Sequence, residues 1–202
     1  DWLLPLLAPI FIKKNLRRYK ELGLDEASIH RGVQIIREQL ASHRPMTRHE
    51  LAGGLLRQGV NTRGQALIYL INRAAWEGVL CLGPLIGGKQ TYAYLPDWIG
   101  RSLRDGNEMA HGLLAERYLA AYAPAGPKDF GSWSGLPSNM VREAWAQIND
   151  NLIEVEFPGG RSFILSDQAS MLEDPVPDSL GVRLLPRFDT FLLGYADRKF
   201  FV

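Results

Sequence analysis

The sequence predicts a mainly helical α+β fold made of two similar modules, and three observations carry that prediction. Apolar residues recur at helical spacing in blocks punctuated by glycine and proline. Each half of the chain orders three such blocks ahead of two short alternating runs around a Gly-Gly pair. Residues 45–52 also align with residues 124–131, and "GGK" at 87–89 aligns with "GGR" at 159–161. A unit repeated once implies two stacked modules rather than a solenoid.

The elements follow in order. The opening "DWLLPLLAPIFI" is apolar but carries Pro5 and Pro9 and lacks a basic start, so it does not read as a signal peptide. Residues 1–24 are read as a connector from a preceding part of a longer chain. The first module spans residues 25–98. Asp25 is its N-cap, and Ile29, Val33, Ile36 and Leu40 follow at helical spacing. "TRHE" at 47–50 is a capping box that opens a short helix through Leu51, Leu55 and Leu56. "TRGQ" at 62–65 is read as a second capping box, for a helix running to Trp76 and stopped by Gly78. "VLCLGP" and "QTYAYL" then form a hairpin with a glycine tip. After the linker "DWIGRSLRDGN", the second module, 106–166, repeats the plan, with Pro127 and Pro137 at two helix starts and the hairpin "LIEVEF", "GG", "RSFIL". A C-terminal strand-rich tail is expected over residues 180–202, with "KFFV" as part of a strand.

Three helices and a two-stranded wing describe a winged helix-turn-helix, so the full expectation is tandem winged helix-turn-helix modules with a strand-rich tail. In such modules the second helix of the turn enters the DNA major groove and the wing reaches the backbone. On the helix ending at Trp76, Leu67, Leu70, Ile71, Ala74 and Ala75 fall on the core side. Gln65, Tyr69, Asn72, Arg73 and Trp76 fall outward. Such a face offers base-reading and phosphate-holding groups, although a neighbouring domain could equally cover Tyr69 and Trp76. Lys89 and Gln90 sit where a wing would meet phosphate. Arg48, Arg63, Gln65, Tyr69, Arg73, Lys89, Gln90 and Arg161 are the candidate DNA-binding residues. His49, beside Arg48, could meet a phosphate or remain solvated.

Charge agrees with that placement. Residues 1–100 hold 13 Lys/Arg against 8 Asp/Glu, a net of +5, and residues 101–202 hold 10 against 14, a net of −4. A polyanion would favour the first half, although halves of ordinary proteins also differ this way. In the second module, Glu143 and Asp150 beside the outward Asn139 and Arg142 oppose phosphate. Other chemistries fit poorly. Cys81 is the one cysteine, which excludes an intrachain disulfide and a cysteine-built zinc site. His30, His43, His49 and His111 show no metal-ligand spacing. "GPLIGGK" lacks the phosphate-loop pattern, and "SWSG" lacks the strand that a nucleophile elbow needs. No cofactor, metal or membrane span is expected, and the setting expected is a cytoplasmic monomer.

"GKQTYAYLPDW", "VRLLPRFDTFLLGYADR" and "RRYKELGLDE" together resemble the bacterial tandem winged-helix family that includes the interstrand-crosslink DNA glycosylases of the azinomycin self-resistance type. The resemblance covers essentially all 202 residues, and "FDTFLLGYADR" is its most specific part. It implies winged helices arranged around duplex DNA and a parent acting on alkylated or crosslinked DNA. It also implies a catalytic Gln-apolar-Gln motif in the N-terminal part of the family's chains. No Gln-x-Gln occurs here: Gln34, Gln39, Gln58, Gln65, Gln90, Gln147 and Gln168 are isolated. The chain is therefore expected to hold later modules and not to excise bases by itself. Asp189 is the one catalytic candidate, with a turn-capping role as its alternative. Asp197 is expected to pair with Arg198. The competing functional reading is a non-catalytic winged-helix DNA-binding or regulatory protein.

Overall fold

Pro5 and Pro9 do not keep the opening residues from being helical. Leu3–Glu21 is an α-helix of 19 residues, α1, with Pro9 inside it. The computed structural model describes residues 2–42, 44–100, 109–157, 160–175, 182 and 184–198. The chain divides into two units, Asp1–Gly106 and Asn107–Val202. The described residues are mainly helical, with small antiparallel sheets.

A proline inside a helix removes one backbone hydrogen bond and crowds the preceding turn. In α1 aromatic packing offsets that cost. Phe11 stacks on Trp76 with ring centroids 5.8 Å apart, and Tyr19 meets Tyr69 edge-on at 5.9 Å. Ala8 and Tyr19 are buried. The sequence reading makes residues 1–24 a connector; the structure instead makes α1 a wall of the first unit.

In that unit, α1 is followed by α2 (Glu26–Leu40), β1 (Met46–Thr47), α3 (Arg48–Arg57), α4 (Ala66–Trp76), β2 (Leu80–Leu82), β3 (Thr91–Tyr94) and α5 (Leu95–Ile99). Asp25 caps α2 by accepting the Ser28 N–H at 2.8 Å. Ile29, Val33, Ile36 and Leu40 are buried, as their spacing predicts. The core runs through Leu51, Leu55, Leu70, Ile71 and Ala74. The sheet order is β1-β3-β2, all antiparallel, with Thr47 opposite Thr91 and Cys81 opposite Ala93. Burial pushes the Cys81 thiol above its ordinary range. The second capping box is absent: Gln65 at the α4 N-cap makes no side-chain cap. Asn61 organises the turn instead, accepting the Arg63 N–H at 3.0 Å and donating to the Leu22 carbonyl at 3.1 Å.

The second unit repeats the order. It holds α6 (Ala110–Tyr122), α7 (Pro127–Ser134), α8 (Ser138–Ile148), β4 (Leu152–Phe157) and β5 (Gly160–Leu165). β4 and β5 pair antiparallel, with Leu152 opposite Leu165 and Glu156 opposite Arg161. Ala125 and Phe163 exchange two backbone hydrogen bonds, of 3.1 and 3.0 Å, where β1 pairs with β3 in the first unit. The core here is aromatic, with Phe130 fully buried among Tyr118, Trp133 and Trp145.

The expected strand-rich tail is corrected in part. Among the described residues from 182 onward there is no strand, and Thr190–Leu193 forms a short helix, α9. "FDTFLLGY" offers few β-branched residues and has Asp189 as a helix N-cap, so a helical turn wins. The expected "KFFV" strand, most of the linker, the module boundaries at 106 and 180, and the tip residue Gly159 lie outside the described residues.

Candidate nucleic-acid interface

Thr47 fixes where α3 begins. Its hydroxyl accepts the Glu50 N–H at 3.3 Å, and its own N–H and hydroxyl donate to Glu50 Oε2 at 2.7 and 2.8 Å. Arg44 reaches the other carboxylate oxygen, Oε1, at 2.9 Å. Glu50 is thus consumed internally. The Thr47 backbone N–H above all, then its hydroxyl and Arg44, holds the Glu50 carboxyl down to about 2. A carboxyl held below its ordinary value stabilises the fold in its charged form. That contribution is complete above about 4.5 and is lost as pH falls toward about 2. Glu50→Gln is expected to flatten the pH dependence of unfolding across this window, measured by denaturant titration. A variant with the parent's slope there would contradict the assignment.

The hairpin faces this helix start. Ile86 and Lys89 exchange two backbone hydrogen bonds of 3.0 Å around Gly87 and Gly88, whose φ angles are +56° and +74°. Two successive positive φ values are the mark of a tight type I′ turn, which only glycine enters without strain. Gln90 rivets the loop beneath, donating to the carbonyls of Gly83 at 3.0 Å and Thr91 at 2.8 Å. Its amide nitrogen is therefore structural. Lys89 extends from a fixed backbone.

Between these elements lies a cleft of about 780 Å³. Arg44, Arg48 and His49 line it from the α3 side, and Ile86, Lys89 and Gln90 from the hairpin side. Arg48, His49 and Lys89 are exposed. Among the described residues, none forms an ion pair with Arg48 or Lys89. Among the described residues, Glu50 is the one acid lining the cleft, and it is already engaged.

The structure brings Arg48, Lys89 and Gln90 together and places the other candidates elsewhere. Tyr69 and Trp76 lie against α1. Arg73 is 13% exposed, sits over the Tyr19 ring at 5.8 Å and pairs with Glu77 and Glu26. Gln65 accepts from Arg18 of α1 at 2.6 Å. Tyr69, Arg73 and Trp76 on the outward face of α4 are thus partly covered within their own unit, while Gln65 stays exposed. Arg63 is exposed on the turn before α4, away from the cleft lining. Arg161 lies in the second unit, 3.7 Å from Glu154. Sequence reasoning passed over Arg44. Its signal was a cation three residues ahead of a capping box, where it can reach the box's glutamate.

Asp189 caps α9, its Oδ1 accepting the Phe191 N–H at 2.9 Å. The segment after it is anchored firmly. The Tyr118 hydroxyl donates to the Gly194 carbonyl at 2.7 Å, and the Tyr195 hydroxyl donates to the Tyr122 carbonyl at 2.9 Å. Asp129 accepts the Gly126 N–H through Oδ2 and the Ala196 N–H through Oδ1, each at 3.0 Å. Burial pushes the Tyr118 and Tyr195 hydroxyls up, so both remain donors at neutral pH. Among the described residues no group of three or more His, Cys, Asp or Glu is placed to hold a metal ion. None of the described helices is long and apolar enough to cross a membrane.

Comparison with known proteins agrees with the sequence resemblance. The family AlkZ-like, described as DNA glycosylase AlkZ-like, matches residues 1–202. A curated relative, the interstrand DNA cross-link repair glycosylase of Streptomyces sahachiroi, is 30% identical over 185 residues. That match covers 88% of this chain and 47% of the relative. The solved structure of Streptomyces sahachiroi DNA glycosylase AlkZ superposes with a TM-score of 0.76 at 26% identity, over 95% of this chain and 54% of that one. The chain therefore spans about half the length of the relatives it matches. Matched along its whole length, the chain belongs to the AlkZ-like DNA glycosylase family.

Proposed function

We propose that this chain is the duplex-DNA-binding, tandem winged-helix portion of a cytoplasmic, monomeric DNA glycosylase-like repair protein acting on alkylated or crosslinked DNA. The observation that carries the reading is the cleft between the start of α3 and the hairpin. It combines Arg44, Arg48, His49 and Lys89 with a single acid that is already engaged. Two cations without ion-pair partners among the described residues, on opposite sides of an open groove at a helix N-terminus, suit a phosphate backbone. Contacts of this kind position a protein on DNA without reading sequence. The repeated order of three helices and a hairpin, with β1 ahead of α3 in the first unit and the Ala125–Phe163 bridge ahead of α7 in the second, supports the tandem winged-helix description. The packing of Tyr69 and Trp76 of α4 against α1 supports a reading in which DNA is met by the helix start and wing rather than by α4.

The repair activity rests on family membership and on the relative's description as a cross-link repair glycosylase. One observation favours the non-catalytic alternative for these residues: Asp189 is engaged as a helix cap. Titration of a labelled duplex by fluorescence anisotropy tests the binding surface. The parent is expected to bind, and Arg48→Ala with Lys89→Ala to weaken binding about equally for all duplex sequences. Arg73→Ala is expected to leave affinity unchanged while lowering the melting temperature, because its partners are internal. Loss of binding in the Arg73 variant with full binding in the double variant would return the interface to α4.

A further inference from the structure

Phe188 is 71% exposed and has a φ of +67°. Among the described residues no other non-glycine residue has a positive φ. A bulky side chain disfavours this region, and an outlier that persists is held there by its surroundings. The holding groups are visible. The Asp189 N–H donates to the Pro186 carbonyl at 3.1 Å and closes the turn. The Asp189 carboxylate caps the following helical turn. Beyond it, the bonds of Tyr118, Tyr195 and Asp129 fix residues 194–196 to α6 and α7. The ring is thus turned outward by a well-anchored segment rather than left behind by a loose one.

The Arg187 guanidinium lies over this ring, 4.9 Å from its centroid. Among the described residues Arg187 has no ion-pair partner, and the adjacent Asp189 carboxylate is directed to its own helix. A projecting ring backed by a guanidinium offers both a stacking face and a cation. That is the pairing of groups that receives a nucleobase, whose π-face stacks on the ring while the adjoining phosphate meets the charge. Apolar rings also enter DNA as wedges at unstacked steps.

We propose that Phe188, supported by Arg187, is a base-stacking element that engages an unpaired or unstacked nucleobase in duplex DNA. The inference rests on the duplex-binding reading given above. It is tested with two oligonucleotide duplexes carrying 2-aminopurine, one fully paired and one with the fluorescent base bulged. Affinity is read by anisotropy, and stacking by quenching of the base. The 202-residue chain is expected to bind the bulged duplex about tenfold more tightly than the paired one and to quench it. Phe188→Ala and Phe188→Leu should both lose the preference and the quenching, with paired-duplex affinity and melting temperature retained. Phe188→Tyr should keep the preference. Retention of the preference in Phe188→Leu would reduce the role to apolar packing and overturn the proposal. So would equal binding of the two duplexes by the parent, or a large fall in melting temperature on truncation. A parent that bound neither duplex would overturn the duplex-binding reading as well.

Discussion

Phe130→Ala is expected to cost the second unit about 3–5 kcal/mol and to leave it largely unfolded at moderate denaturant. Phe130 has no exposed surface. Its ring lies 5.5 Å from that of Tyr118, 6.3 Å from Trp133 and 5.8 Å from Trp145. These neighbours are large planar groups, each also placed by other contacts. Trp145 meets Phe163 at 6.0 Å, and Tyr118 stacks on Tyr122 at 5.2 Å. They cannot close around a missing ring, so the cavity persists and its cost adds to the lost transfer energy. A domain of this size has about 5–15 kcal/mol in total, so one such loss is a large fraction of it. Trp133 and Trp145 report the transition by fluorescence. Phe130→Leu, which keeps most of the volume, is expected to lose less. An alanine variant with an unchanged denaturation midpoint would show that this cluster is not the core of the unit.

The second large effect is expected from Gly194→Ala, which should release the segment around α9. A Cβ at Gly194 would stand 2.4 Å from Cδ1 and 2.5 Å from Cε1 of Tyr122. Those are atoms of a ring and not the end of a flexible chain. The ring has little room to yield, because it stacks on Tyr118 and meets Tyr195 edge-on at 6.1 Å. Overpacking of this kind costs about 1–3 kcal/mol. Here it also strains the bond from Tyr118 to the Gly194 carbonyl and the bond from Tyr195 to Tyr122. Hydrogen exchange should accelerate at the Ala196 amide, which the Asp129 carboxylate otherwise protects. Exchange as slow as in the parent would mean that the segment is held by something other than this seat.

Caps, buried stripes and covered faces differ in what the residues reveal in advance. Asp25 and Thr47 are recognisable as caps, and the apolar spacing of α2 is recognisable as a buried stripe. Both signals are local: a side chain two or three residues from the group it satisfies, or one period repeated along a helix. The helicity of α1 is not local. Its prolines argue against a helix, and what overrules them is contact with Trp76 and Tyr69, far along the chain. The same contact partly covers Tyr69 and Trp76, on the face of α4 that periodicity marks as outward. Periodicity separates two faces of a helix, but it cannot say whether a second element covers the polar one. Half of the site was legible for the opposite reason. Lys89 and Arg48 each sit at a position fixed locally, one by a Gly-Gly turn and one by a capping box. Gln90 shares that location, yet its amide serves the loop, which only the closed hairpin reveals. Asp189 stands in the most specific stretch of the sequence, and its geometry is that of a cap.

The dependence of duplex affinity on salt, measured for the parent and for the Arg48→Ala, Lys89→Ala double variant, addresses the central claim most directly. Each neutralised phosphate contributes about −0.9 to the slope of log affinity against log salt. The parent is expected to show a steep negative slope, and the double variant a slope shallower by about two units. Parallel lines of equal affinity for the two proteins would contradict the account and place the phosphate contacts outside the cleft between α3 and the hairpin.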